Sequence, residues 1–81
     1  MEKELQAFCT NMRNLRKVRG MTQKEMAQAL HISIGYVRRI EQGDVPIGLT
    51  CDVFYYIHRV FGVYPSQVVS EHFEPAQVQQ K

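Results

Sequence analysis

The run from Thr22 to Gly43 constrains this chain more than any other stretch. Thr22-Gln23-Lys24-Glu25 fits a capping box, in which the Thr22 hydroxyl and the Glu25 carboxylate satisfy each other's free backbone amides. Thr22 therefore opens a helix, and its inward face is Met26, Ala27 and Leu30. A short break follows at His31-Ile32. Ser33 caps a second helix, which spans about Ile34 to Gln42 and stops at Gly43, a natural C-terminal cap. Val37 and Ile40 form the inward stripe of that helix. Ala27 is small where two helices joined by about three residues must cross closely. The pattern predicts two short helices meeting at a sharp corner.

The rest of the chain supplies what such a corner packs against. A first helix is predicted from about Lys3 to Val18, with Leu5, Phe8, Met12 and Leu15 recurring at three- and four-residue steps. Arg19-Gly20 ends it. Asp44-Val45-Pro46-Ile47-Gly48 reads as a loop. A fourth helix is predicted over about Thr50 to Phe61, with Phe54, Ile57 and Phe61 inward and Gly62 as its stop. Pro65 suits the first position of a short fifth helix, roughly Pro65 to Val69. Ser70 to Lys81 is a tail, frayed beyond Phe73. The 81 residues thus suggest one all-α domain over 1–73, a compact five-helix bundle, followed by a short tail over 74–81.

A domain of this size leaves little room for an enclosed substrate cavity. No nucleophile–base pair, glycine-rich phosphate loop or metal cluster is visible, which argues against an enzyme and against a cofactor or small-molecule ligand. Cys9 and Cys51 lack metal-ligand spacing, and His31, His58 and His72 are scattered. Free, partly buried thiols in a reducing cytoplasm are the expectation. Charges at Glu2, Lys3 and Glu4 argue against a signal peptide, and no apolar run approaches the roughly 18 residues of a membrane span.

The net charge is only +2, but its distribution is uneven. Residues 11–43 hold seven basic side chains (Arg13, Arg16, Lys17, Arg19, Lys24, Arg38, Arg39) against Glu25 and Glu41. Residues 44–81 hold Arg59 and Lys81 against Asp44, Asp52, Glu71 and Glu74. Solvated helix faces would carry such charges too, so geometry must decide. At 100° per residue, Gly35 and Arg39 lie about 160° and 200° around the helix from inward Val37, and Gln42 about 140°. The outward face is therefore Gly35, Arg38, Arg39 and Gln42, with Tyr36 on its flank. Two arginines and an amide on an exposed helix suit nucleic acid, because Arg donates two parallel hydrogen bonds to a guanine edge and also binds phosphate. Placed on the second helix of a sharp corner, they match a helix-turn-helix presented to the DNA major groove.

From Asn14 to Gly43 the chain resembles the phage repressor and Cro-type (lambda-repressor-like) helix-turn-helix family. The shared pattern is Leu15-Arg16, Gly20, Thr22-Gln23, Ala27, Ser33, an apolar residue, Ile40-Glu41 and Gly43. Phe54 to Val68, with Phe-Gly-Val-Tyr-Pro near its end, is similar to the family's fourth and fifth helices, so the resemblance covers about residues 8–69. It implies that Ile34, Gly35 and Arg39 contact bases, with Tyr36 and Arg38 beside them, and that Ile34 or Tyr36 packs on a thymine methyl. Phosphate contacts are assigned to Gln23, at the helix start, and to its neighbours Thr22 and Lys24, with Arg13 and Gln42. The helix N-terminus adds its own amides. Arg16 and Glu41 match the family's partly buried ion pair, so Glu41 is structural.

The chain departs from this pattern in four places. His31 stands where the family has Gly in the turn, and His tolerates a left-handed backbone better than most residues. Gly35 replaces a side chain that often reads a base. The Asp44–Gly48 loop lacks basic residues. His58 occupies a position that is usually small.

Family members bind as dimers, commonly through the region of the fourth and fifth helices. Here Phe54, Tyr55 and Tyr56 are adjacent and cannot all point inward. Tyr55, Tyr56, Tyr64 and Phe73 are therefore the candidate dimer residues. The resulting expectation is a cytoplasmic, homodimeric, sequence-specific DNA-binding regulator from a bacterium or phage, a repressor reading a palindromic operator. Within the same class stand an antitoxin and a restriction-system controller protein. A protein-interaction module that kept the fold and lost DNA affinity is the alternative of another kind.

Overall fold

The structure is a computed structural model and describes residues 2–45 and 51–74. Among the described residues five helices follow in order: α1 (Glu2–Val18), α2 (Gln23–Leu30), α3 (Ile34–Glu41), α4 (Cys51–Phe61) and α5 (Pro65–Val68). There is no strand among the described residues. The chain adopts the expected all-α bundle, with boundaries within one residue of those read from sequence wherever both ends are described. Three expectations fall partly or wholly outside the described residues: the loop after Val45, Thr50 as the start of the fourth helix, and the tail beyond Glu74.

The core forms where the apolar stripes converge. Phe8, Met12 and Leu15 of α1 meet Met26, Ala27 and Leu30 of α2, Val37 and Ile40 of α3, and Val53, Ile57 and Phe61 of α4. Val63 and Val68 close it from the α5 side. Burying each large side chain contributes about 1.5–3 kcal/mol, and this supports helices too short to persist alone in water.

Two details of the stripes differ from the sequence reading. Leu5 was expected in the α1 stripe but is 44% exposed. The inward line of α1 begins at Ala7 and Phe8 and includes a polar residue, Asn11. Asn11 Nδ2 donates to the Val68 carbonyl at 2.7 Å and to the Ser70 carbonyl at 2.9 Å. It thereby satisfies the buried Val68 carbonyl at the end of α5 and adds a second donor to the Ser70 carbonyl, which also accepts from the Phe73 amide at 3.3 Å. In α4 the buried line is Val53, Ile57, Phe61, spaced by four, where Phe54 had been expected to begin it. Phe54, about 100° further round the helix, is half-buried at the rim of the core, its ring 5.6 Å from that of Phe8.

Helix ends are closed by local devices. Gly20 takes φ +65°, and the amides of Gly20 and Met21 bond the Lys17 and Arg16 carbonyls. Arg19, counted above among the basic residues, is spent on the fold. Its guanidinium lies 4.9 Å from the Phe61 ring centroid and donates to the Val60 carbonyl at 3.4 Å, at the negative end of α4. Cys9 is buried and Cys51 exposed, and both are free thiols. Burial, with the nearby Asp44 charge, pushes the Cys9 thiol above its ordinary range.

Candidate nucleic-acid interface

The α2–α3 corner is built from its caps. The Thr22 hydroxyl accepts from the Glu25 amide at 3.0 Å while Glu25 Oε1 accepts from the Thr22 amide at 2.8 Å, the reciprocal pair the sequence implied. His31 then takes the left-handed backbone, φ 59°, and the Ile32 amide bonds the Ala27 carbonyl at 3.0 Å. That conformation is costly for a residue with a Cβ. A compensating contact is present: the His31 ring stacks on Tyr56 of α4, 4.0 Å between centroids and 16° between planes. The turn is thus fixed from inside by its backbone and from outside by an aromatic pair. Ser33 starts α3, its Oγ accepting from the Tyr36 amide at 3.1 Å.

A partly buried ion pair ties this corner to α1. Arg16 Nε lies 2.6 Å from Glu41 Oε2, and Arg16 Nη2 donates to Glu41 Oε1 at 3.0 Å. Arg16 Nη1 also donates to the Met21 carbonyl at 2.9 Å, and Gln23 Nε2 to Glu41 Oε1 at 3.2 Å. One carboxylate therefore joins α1, the start of α2 and the end of α3. Burial alone would raise the Glu41 carboxyl. The hydrogen bonds from Arg16 and Gln23 and the charges of Arg16 and Arg13 outweigh it and hold the group below the usual carboxylate range.

With Val37 and Ile40 turned into the core, α3 exposes Gly35, Arg38, Arg39 and Gln42, while Ile34 and Tyr36 are half-buried on its flanks. Arg38 has no ion pair among the described residues, whereas Arg39 is paired with Asp44. Thr22, Lys24 and Arg13 are exposed, Gln23 half-buried. Of the residues expected at bases, the structure thus brings Gly35, Arg38 and Arg39 onto one exposed face of α3 and leaves Ile34 and Tyr36 on its flanks, and it keeps the Gln23 amide turned to Glu41. No sequence pattern pairs Arg39 with Asp44, which reads from sequence only as part of a loop that lacks basic residues. The signal that could have found the pair is Gly43, whose C-cap turn folds the next residue back on its own helix.

Gly35 is not required by space. A Cβ there would meet only Ser33 Oγ, at 3.9 Å. Gly35→Ala is therefore expected to stabilise the protein by about 0.5–1 kcal/mol through backbone entropy, a gain readable as a higher midpoint in urea unfolding.

The candidate dimer residues divide. Tyr55 and Tyr64 are 54% and 58% exposed. Tyr56 is half-buried under His31, and Phe73 is half-buried against the core. Arg59 lies over the Tyr55 ring and donates to its hydroxyl at 3.1 Å. His58, where the family pattern has a small residue, points outward beside Tyr64, ring centroids 4.5 Å apart. No helix of the described residues is long and apolar enough to cross a membrane, and no group of three or more His, Cys, Asp or Glu side chains among them is arranged to hold a metal.

A family model described as a helix-turn-helix domain matches residues 8–51, just over half the chain. No curated protein and no solved structure matches it.

Proposed function

Because this chain belongs to the helix-turn-helix domain family, we propose that it is a sequence-specific DNA-binding regulator of the phage repressor and Cro type, using α3 as its recognition helix. The observation that carries the proposal is the outward face of α3, where Arg38 and Arg39 stand exposed on a helix anchored from behind by Val37, Ile40 and the Arg16–Glu41 pair. Arg39, Arg38 and Gly35 face base edges in the major groove, with Ile34 and Tyr36 on apolar flanks. Arg13, Thr22, Lys24 and Gln42 sit around them as phosphate contacts, and Gln23 joins them by swinging from Glu41.

A single corner reads only a few base pairs. We therefore assign the protein a homodimeric state, with half-sites one helical turn apart, about 34–36 Å. Exposed Tyr55 and Tyr64 supply the contact, with Tyr56 and Phe73 as its inner margin. The proposal is of a binding protein and not an enzyme. It needs no cofactor, acts in the cytoplasm of a bacterium or of a phage-infected cell, and represses by occupying a palindromic operator. An antitoxin or a restriction controller would use the same surface. A toxin or restriction gene beside this one would distinguish them.

One pair of observations favours a second reading, a protein-interaction module: Gly35 offers no side chain to a base, and Asp44 already engages Arg39. Retention of random DNA fragments in a gel-shift, with sequencing of what is retained, separates the two. The proposal expects a two-fold symmetric sequence to be enriched, and an affinity that falls with salt at a log–log slope of about −0.9 per phosphate neutralised. Absence of any retained DNA, or binding indifferent to salt, would favour the interaction module.

A further inference from the structure

Asp44 owes its position to the way α3 ends. Gly43 takes φ +90°, which lets the chain reverse. The Gly43 amide bonds the Ile40 carbonyl and the Asp44 amide bonds the Arg39 carbonyl, both at 2.9 Å. Asp44 is therefore anchored to the backbone of the residue whose side chain it also grips. Asp44 Oδ2 accepts from Arg39 Nε at 3.1 Å and lies 3.0 Å from Nη2. Both side chains are more than half exposed, at 54% and 60%, so the pair adds little to the stability of the fold.

Which hydrogens the carboxylate takes is the informative point. A guanidinium has five N–H groups in a rigid planar fork. Asp44 occupies the Nε–Nη2 side. The far end of the fork, formed by Nη1 and the second hydrogen of Nη2, stays open. That end carries two parallel donors, the geometry that suits guanine O6 and N7. A carboxylate on the near side fixes the direction of the fork before DNA arrives, so less rotamer freedom is lost on binding. In a groove shielded from water the pair also tightens. The same negative charge disfavours a close approach of Arg39 to phosphate.

We propose that Asp44 is a specificity-determining positioning residue, holding Arg39 by Nε and Nη2 so that its Nη1–Nη2 end meets a guanine and not the phosphate backbone. This rests on the DNA-binding reading above.

The test uses the full chain and a duplex enriched from random sequence. The guanine in question is the one whose preference Arg39→Ala abolishes. Selectivity is the ratio of affinities for that duplex and for the same duplex with this base pair replaced. Asp44→Ala is expected to lower this ratio about three- to fivefold, while binding to random DNA strengthens and the melting temperature stays unchanged. In an Arg39→Ala background, Asp44→Ala should leave the ratio where it was. An equal gain on all DNA with the ratio intact would overturn the proposal and leave Asp44 as simple repulsion. A raised ratio would make the pair an inhibitory clamp and overturn it as well. Failure to enrich any duplex would remove the DNA-binding reading itself, a result distinct from either.

Discussion

Replacing Arg38 and Arg39 together with alanine is expected to weaken binding to a selected duplex by about a hundredfold or more, while the protein stays folded. Each base-reading arginine is worth about 1–3 kcal/mol, and a tenfold change in affinity corresponds to about 1.4 kcal/mol. Both side chains are exposed on α3. Alanine is a strong helix former, and the only ion pair lost among the described residues is the surface bridge to Asp44, so stability should move by less than about 1 kcal/mol. The single variants should differ. Arg39→Ala should relax selectivity at one base pair. Arg38→Ala should also relax selectivity, but less sharply, because nothing among the described residues orients that side chain. Titration of fluorescent duplexes, with circular dichroism as a folding control, reads both effects.

The second large effect is on stability. Glu41→Ala is expected to cost about 2–4 kcal/mol, since it strands the Arg16 guanidinium at a site where its side chain is only 16% exposed. A domain of this size has roughly 4–12 kcal/mol in total, so the loss should appear as a large drop in the midpoint of urea unfolding. The Gln23 amide loses its acceptor at the same time. Replacing both partners, as in Arg16→Met with Glu41→Leu, should recover most of the loss, because no buried charge is left unpaired. Acid should act in the same direction. The Glu41 carboxyl is held below its ordinary value of 4.5, so its contribution is complete above about pH 5 and disappears as the pH falls through the lowered native value. Wild-type protein should thus lose stability more steeply than Glu41→Gln as the pH falls below about 5.

What the sequence made legible was whatever is decided within one or two helical turns. The Thr22–Glu25 box, the Ser33 cap, and the stops at Gly20 and Gly43 each depend on residues three or four apart, and helix boundaries follow from them. The outward face of α3 follows from periodicity once Val37 and Ile40 are recognised as inward. The Arg16–Glu41 pair joins residues 25 positions apart. No local pattern encodes it, and only the family resemblance suggested it.

Contacts made by the meeting of distant elements stayed hidden. Asn11 reads as a polar interruption of a stripe until α5 brings the Val68 and Ser70 carbonyls to it. Tyr56 reads as a spare aromatic until His31 lies against it. Phe54 and Val53 are both apolar neighbours, and the packing of α4 on α2 decides which faces inward. Asp44 was hidden for a different reason. Its carboxylate looks like loop charge unless the reversal at Gly43 is followed in three dimensions.

The account stands on α3 being the surface that meets DNA. Nitrogen-15 NMR during titration with a selected duplex measures this directly, residue by residue. The largest shifts should fall on the amides of Gly35, Arg38, Arg39 and Gln42 and on the Arg39 Nε–H, with smaller ones at Thr22 to Lys24 and little change along Val53 to Phe61. Binding accompanied by shifts centred on Tyr55 and Tyr64, with the α3 amides unmoved, would contradict it.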